Sequence, residues 1–415
     1  MEYGKSIQSG SNYKWVVVGL LWVVGLLNYL DRQMLSTMRP AMEIDITELQ
    51  RAENFGILMS VFLWIYGFMS PVSGIISDRT NRKWLIVISL FIWSAVTFMM
   101  GFATSFTELK WLRGLMGISE AVYIPAALSL IADYHHSKTR SLAVGIHMTG
   151  LYFGQALGGF GATFAKAYSW HHTFFVFGMI GILYSIILVI FLKENRTVSV
   201  PEKQPVAENK PGALRGMAWL LSNISFWVIL LYFAIPSLPG WATKNWLPTL
   251  FSQSLNIEMA VAGPIATVTI AASSFVGVLL GGTLSDKWVQ KNIRGRVYTS
   301  AIGVFLTVPA VIILGLGHTT LVQVFAAVLF GLGFGMFDAN NMPILCQFVP
   351  ARYRATGYGL MNMTGVFFGA FITGVLGKST DAGNLGRDFA LMAGVVLLVV
   401  IVQLAVLRPG YQELE

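Results

Sequence analysis

The sequence predicts an all-α integral membrane protein: twelve transmembrane helices arranged as two pseudo-symmetric six-helix bundles. Composition, the number of apolar stretches and an internal repeat each point to it. Of 415 residues, 55% are hydrophobic and 12% charged, against about 25% charged in a soluble domain. Mean hydropathy is +0.65. A chain of this length has no aqueous core large enough to hide so much apolar surface, so lipid is the expected solvent and the bilayer a partner. A secreted disulfide scaffold, a disordered chain and an ordinary soluble enzyme are excluded.

Crossing a bilayer takes about 20 apolar residues in a helix. Stretches of that kind fall at 15–38, 54–77, 84–104, 108–132, 140–165, 171–192, 224–250, 260–285, 297–317, 320–348, 354–377 and 387–407. The first ten residues are polar and the run from Trp15 is full length, so the first span is expected to direct insertion itself rather than act as a cleaved signal. With the N-terminus inside, 19 Lys/Arg fall in cytoplasmic segments and 6 in outer ones. The outer six are Arg39, Arg51, Lys110, Lys166, Lys378 and Arg387. That asymmetry places both termini in the cytoplasm. It also accounts for the net charge of +8, so no nucleic-acid partner is expected.

Residues 194–216 are polar and carry Pro201, Pro205 and Pro211. They read as a cytoplasmic linker between an N-terminal bundle at 1–193 and a C-terminal bundle at 217–415. The bundles repeat one another. Gly74-Ile-Ile-Ser-Asp78-Arg79 recurs as Gly282-Thr-Leu-Ser-Asp286-Lys287, Glu120-Ala121 with Pro125 as Asp338-Ala339 with Pro343, and His147-Met-Thr-Gly150 as Asn362-Met-Thr-Gly365. A duplicated six-span unit suits an alternating-access carrier, with the site near the midplane between the halves.

A charge within a span is costly unless paired or hydrated. Arg32, Arg113 and Lys244 are the in-span cations. Arg32 offers a fork of donors matched to a carboxylate; adjacent Asp31 either takes a proton or balances a cation. Arg113 and Glu120, seven residues apart, share a helix face about 10 Å apart along the axis, so each needs a partner elsewhere. Glu120 is either a proton-coupling site or a fixed tie to Arg32 or Arg113. Asp338 stands where the repeat puts the counterpart of Glu120, followed by Asn340 and Asn341, which either read hydroxyls or join helices; its role, like that of Tyr123, stays open. Lys244 and Asn245 follow the breakers Pro236, Pro239 and Gly240, and Lys244 either holds a second anionic group or snorkels. Tyr29, Tyr152, Gln155 and Asn362 suit a polyhydroxylated ligand. Gly74, Asp78, Arg79, Arg82 and Asp286, with Arg113, read as structural or gating residues, the loop set acting as a charge latch. The single cysteine, Cys346, and the pairs His135-His136 and His171-His172 lack companions for a metal. No nucleophile set or phosphate-cradling loop is present, so neither an enzyme nor a cofactor is expected.

The segment from Gly74 to Lys83, with its partial copy at Gly282 to Arg296, resembles the loop signature of the major facilitator superfamily. More narrowly, Asn28-Tyr-Leu-Asp31-Arg32, Arg113 with Gly117 and Glu120-Ala121, Ser169-Trp-His-His-Thr-Phe174 and Trp246-Leu-Pro248 resemble the anion:cation symporter family, which includes carriers of galactonate, hexuronates and sialic acid. The resemblance implies that Arg32 contacts an acidic substrate and that Asp31 is a protonation site. Asp338 and Lys244 depart from the family pattern.

The expectation is a proton-coupled symporter of the bacterial inner membrane, working as a monomer and importing a small organic anion such as a hexonate or hexuronate. Glu120 and Asp31 would couple the proton, the expected coupling ion. A spinster-like lysolipid carrier or an organic-phosphate exchanger of the same fold is the competing expectation; the span-ten asparagines and the absence of a span-seven arginine weigh against them.

Overall fold

A computed structural model describes residues 12–135, 137–194, 213–350 and 353–409. Most of the expected linker, and the side chains of Asp78 and Arg79, lie outside the described residues.

The first half holds α1 (Tyr13–Asp45), α2 (Ala52–Arg79), α3 (Arg82–Met100), α4 (Phe106–Glu120), α5 (Tyr123–Tyr134), α6 (Ser137–Gly158), α7 (Gly161–Ala167) and α8 (Trp170–Phe191). The second holds α9 (Ala213–Leu221), α10 (Ile224–Leu255), α11 (Met259–Val289), α12 (Gly295–Leu316), α13 (Thr320–Asp338), α14 (Asn341–Phe348), α15 (Arg354–Asp381) and α16 (Leu385–Val406). No strand occurs among the described residues. Eleven segments are long and apolar enough to cross a membrane. The α6–α7 segment completes the series of twelve; His147, Tyr152 and Gln155 make α6 less apolar than its neighbours. On α8 and α16 large apolar side chains point outward, among them Ile190, Phe191, Leu391 and Ile401, as a lipid-facing surface requires.

The fourth span of each half is broken at the same place. Glu120 is the last residue of α4 and Asp338 the last of α13; Pro125 and Pro343 are each the third residue of the helix that follows. Proline has no N–H to bond the carbonyl four residues back, so Ala121 and Ala339 lose their helical partners and the axis breaks there. The apolar pattern, at 108–132 and 320–348, runs through this point in both spans. Each acid thus stands at a helix C-terminus, the end that disfavours negative charge, and each calls for a nearby cation.

The helix α10 stays continuous through Pro236, Pro239 and Pro248. The freed carbonyl of Lys244, four residues before Pro248, accepts a hydrogen bond from Gln33 Nε2 of α1 at 2.7 Å. The same device recurs on α11, where the carbonyl of Ala260, four before Pro264, accepts from Thr163 Oγ1 at 2.9 Å. Both bonds join the two halves.

The halves meet tightly at one end of the bundle, the end holding the turns 46–51, 256–258 and 382–384. Asp381 accepts from the backbone N–H of Ala52 and Glu53 at 2.7 and 2.8 Å. Lys166 pairs with Glu258 at 2.5 Å, and Lys378 with Glu53 at 3.5 Å. At the opposite end, Gly74, Gly145, Gly282 and Gly359, on α2, α6, α11 and α15, have no atom within 4 Å of where a Cβ would stand.

Candidate functional site

The midplane holds two charged groups, one in each half. In the first, Arg32 Nε donates to Glu120 Oε2 at 2.5 Å, and Asn28 Nδ2 donates to the same oxygen at 2.9 Å. Glu120 is fully buried and the Arg32 side chain is 11% exposed. The guanidinium lies against Tyr66, Phe62 and Tyr29 at 4.6, 4.9 and 5.2 Å from the ring centres, so its charge is met by π faces as well as by the carboxylate. Asp31, buried, accepts from Thr97 Oγ1 at 3.3 Å and leaves Oδ1 without a hydrogen-bond partner. Arg113, also buried, stacks on Phe62 at 4.5 Å and donates to Met116 Sδ. Glu120 therefore pairs with Arg32 and not with Arg113.

Beside this cluster is a central cavity of about 60 Å³, lined by Tyr29, Met148, Leu151, Tyr152, Gln155, Gly240, Thr243, Lys244, Ile270, Ser274, Phe330, Phe334 and Asp338. It is a mixed surface: hydroxyls and an amide on one part, aromatic and aliphatic faces on another, and one cation and one acid. Asp338 is exposed although it belongs to the middle of the fourth span, so water reaches it. Asn341 Nδ2 donates to its Oδ1 at 3.1 Å.

The structure thus brings Tyr29, Tyr152, Gln155, Lys244 and Asp338 together around one cavity. Arg32 and Glu120, read from sequence as facing the chamber, sit one aromatic layer behind it, screened by Tyr29. Once both groups are buried, each needs the other, because a lone charge at low dielectric is left uncompensated.

Other expected contacts go elsewhere. Asn245 Nδ2 donates to Thr373 Oγ1 at 2.8 Å, and Asn362 Nδ2 to Ser70 Oγ at 3.2 Å, tying α15 to α10 and to α2. Asn340 Nδ2 turns back to its own helix at Met336 O, while Asn341 Oδ1 lies 3.1 Å from the Tyr232 hydroxyl. Tyr123 donates to Leu21 O within the first half at 2.8 Å. Arg82 pairs with Asp133, and the α3 N-terminus, at Arg82 and Lys83, donates to Glu194. Asp286 reaches Arg296 at 3.7 Å. Both of these charge pairs stay within one half, so neither latches the halves together here; the Asp78 and Arg79 side chains lie outside the described residues. Sequence reasoning missed Gln33, Thr243, Ser274, Phe330 and Phe334. Of these only Gln33 had a signal, the proline four residues after its acceptor.

Two broken fourth spans, a charged midplane and helices that close one end of a two-half bundle form the frame of an alternating-access carrier. The family model for the major facilitator superfamily matches residues 21–374. The chain belongs to the major facilitator superfamily. It is a multi-pass membrane transporter, not an enzyme. Among members of the superfamily, it is 26% identical over 391 residues to the probable galactarate/D-glucarate transporter GarP of Escherichia coli (strain K12), covering 86% of each chain. It is 26% identical over 411 residues to the D-galactonate transporter of Escherichia coli O6:H1, covering 93% of each. The fold matches the crystal structure of a bacterial homolog of the human lysosomal transporter Spinster, with TM-score 0.77 at 20% identity over 96% of both chains.

Proposed function

We propose that this chain is a proton-coupled symporter that brings a sugar acid, of the hexonate or hexuronate kind, into a bacterial cytoplasm. It would sit in the inner membrane with both termini inside, working as a monomer with protons as its coupling ion. The positive-inside count then makes the closed end the outer one, and the halves stand apart toward the cytoplasm. The names of the galactarate/D-glucarate and D-galactonate transporters support the substrate class.

The observation that carries the reading is the Arg32–Glu120 pair at 2.5 Å, one ring away from a cavity of hydroxyls and amides. While Glu120 is ionised it occupies the arginine. A proton on Glu120 removes the competing charge and frees the guanidinium for a substrate carboxylate, which it can hold with two parallel bonds. Asp31, next along α1 with one free oxygen, is the second place for a proton. Tyr29 lies between Arg32 and the chamber and must swing or slide for the substrate to reach the arginine. The hydroxyls of Tyr152, Thr243 and Ser274 and the amide of Gln155 meet the sugar hydroxyls, and Phe330 and Phe334 pack the carbon face.

The test is transport by purified protein in liposomes. Glu120→Gln is expected to keep substrate exchange across the bilayer while losing accumulation driven by a pH gradient. Full pH-driven accumulation by that variant would remove Glu120 from the coupling step.

A further inference from the structure

The second half carries its own copy of the charged pair. Arg32 is the twentieth residue of α1 and Lys244 the twenty-first of α10; Glu120 and Asp338 each end the first segment of a broken fourth span. In both halves the first span supplies a cation and the fourth an acid at a helix C-terminus. The two pairs differ in state. Arg32 and Glu120 are in contact and screened. Lys244 and Asp338 both line the cavity, and the Lys244 ammonium has no hydrogen-bond or ion-pair partner among the described residues. Its neighbours are the rings of Trp241, Tyr29 and Phe334, at 4.9, 5.9 and 5.9 Å from its nitrogen. A cation in a midplane cavity that touches ring faces and makes no ion pair within 4.0 Å, although Asp338 lines the same cavity, is open to an incoming anion.

Arg32 and Lys244 flank one ring. The guanidinium carbon is 5.2 Å and the ammonium 5.9 Å from the centre of Tyr29, so the two charges cannot be further apart than those distances end to end, about 11 Å. An extended six-carbon chain separates its terminal carboxyl carbons by roughly 6 Å, and a charge-assisted hydrogen bond adds about 3 Å at each end. Laid end to end these lengths slightly exceed that limit, so such a chain would reach both cations only in a bent arrangement.

We propose that Lys244 and Asp338 form a second anion subsite, the pseudo-symmetric copy of Arg32 and Glu120, which receives a second carboxylate at the far end of the substrate. The preferred ligand class is then a dicarboxylic sugar acid, with one carboxylate on each half of the carrier. Asp338 is the counter-charge that the incoming carboxylate displaces, as Glu120 is for Arg32. A ligand with an acid at both ends bridges the halves, which a monocarboxylate cannot do with charge alone. This inference rests on the sugar-acid reading above.

The experiment is a thermal-shift titration of the purified full chain with a hexarate, the matching hexonate and the neutral hexose. The wild type is expected to bind the hexarate at least tenfold more tightly than the hexonate and the hexose not at all. Lys244→Gln should bring the two acids within threefold of each other, mainly by weakening the hexarate, and Lys244→Arg should restore the preference. Asp338→Asn, which leaves Lys244 charged without its counter-charge, should tighten hexarate binding relative to hexonate. A wild type that binds hexonate as well as hexarate overturns the second subsite while leaving the sugar-acid reading intact; stabilisation by neither acid sinks both. A folded Lys244→Gln that keeps the tenfold preference also overturns the subsite. If that variant does not fold, an Asp338→Asn protein with an unchanged ratio does the same.

Discussion

The carboxylate of Asp381, at the end of α15, caps the α2 helix of the other half by accepting the N–H groups of Ala52 and Glu53. The residue preceding α2 is Arg51, whose side chain makes no cap bond. The first turn of α2 therefore gets its acceptor from the second half, and the favourable meeting of an anion with a helix N-terminus exists only while this end is closed. Asp381→Ala should cost the closed arrangement about 1 kcal/mol, a roughly fivefold shift toward opening. In a Cys346→Ser background, a cysteine at Thr267, a position buried between the halves, should react several-fold faster with a membrane-impermeant maleimide once Asp381 is replaced. An unchanged rate would mean that the cap does not set this equilibrium.

Helix contact at that end depends on glycine. A side chain at Gly159 would collide with Thr267 Oγ1, and a Cβ at Gly377 would stand 2.7 Å from the Ala52 carbonyl oxygen. Gly74 and Gly282, at the other end, face open space. Gly159→Val should block closure of the first end and Gly74→Leu closure of the second, biasing the carrier in opposite directions. Both should lower turnover at least tenfold. The same cysteine at Thr267 should label faster in Gly159→Val and slower in Gly74→Leu. Equal labelling in the two variants would contradict this assignment of the ends.

How much of this could be read in the chain depends on the distance over which the cause acts. Spans were legible because a twenty-residue apolar run reports directly on bilayer thickness; α13 and α14 together occupy 320–348, the stretch the apolar pattern marked. The breaks after Glu120 and Asp338 were encoded in Pro125 and Pro343, but apolarity masks a proline in a long run. In the site, Arg32 and Glu120 were legible as charges needing partners, because burial without one is costly wherever the chain goes. That they choose each other, with Tyr29 between them and the cavity, is a matter of packing between helices far apart in sequence. Asn245 and Asn362 look the same in sequence whether they meet a ligand or a helix, since an amide satisfies either. The Gln33 bond lay between these cases: the Lys244 carbonyl had to be free, but which helix would fill it was not written locally.

Arg32 also bears on how strictly the guanidinium is required. It is held by three ring faces and a carboxylate at once. A lysine keeps the charge but offers neither a planar surface for stacking nor a fork for a carboxylate. Arg32→Lys should therefore lower the transport rate at least tenfold while the protein still folds and inserts. Near-normal transport by this variant would show that charge alone suffices at the position.

Removing either member of the buried pair leaves the other uncompensated, and the two single losses should not add. Glu120→Ala strands a guanidinium whose Nη2 has no hydrogen-bond partner even in the intact protein. Breaking a buried pair from one side costs on the order of 3–5 kcal/mol. Replacing both partners with apolar groups of similar volume is often neutral, so Arg32→Met with Glu120→Leu should regain much of that loss while transport stays absent. The measurement is the thermal unfolding midpoint of the two single variants and the double variant in the same detergent, with transport assayed in parallel. A double variant at least as unstable as the sum of the singles would show that the two side chains are stabilised independently. It would also remove the argument that Glu120 must be discharged before Arg32 can take a substrate.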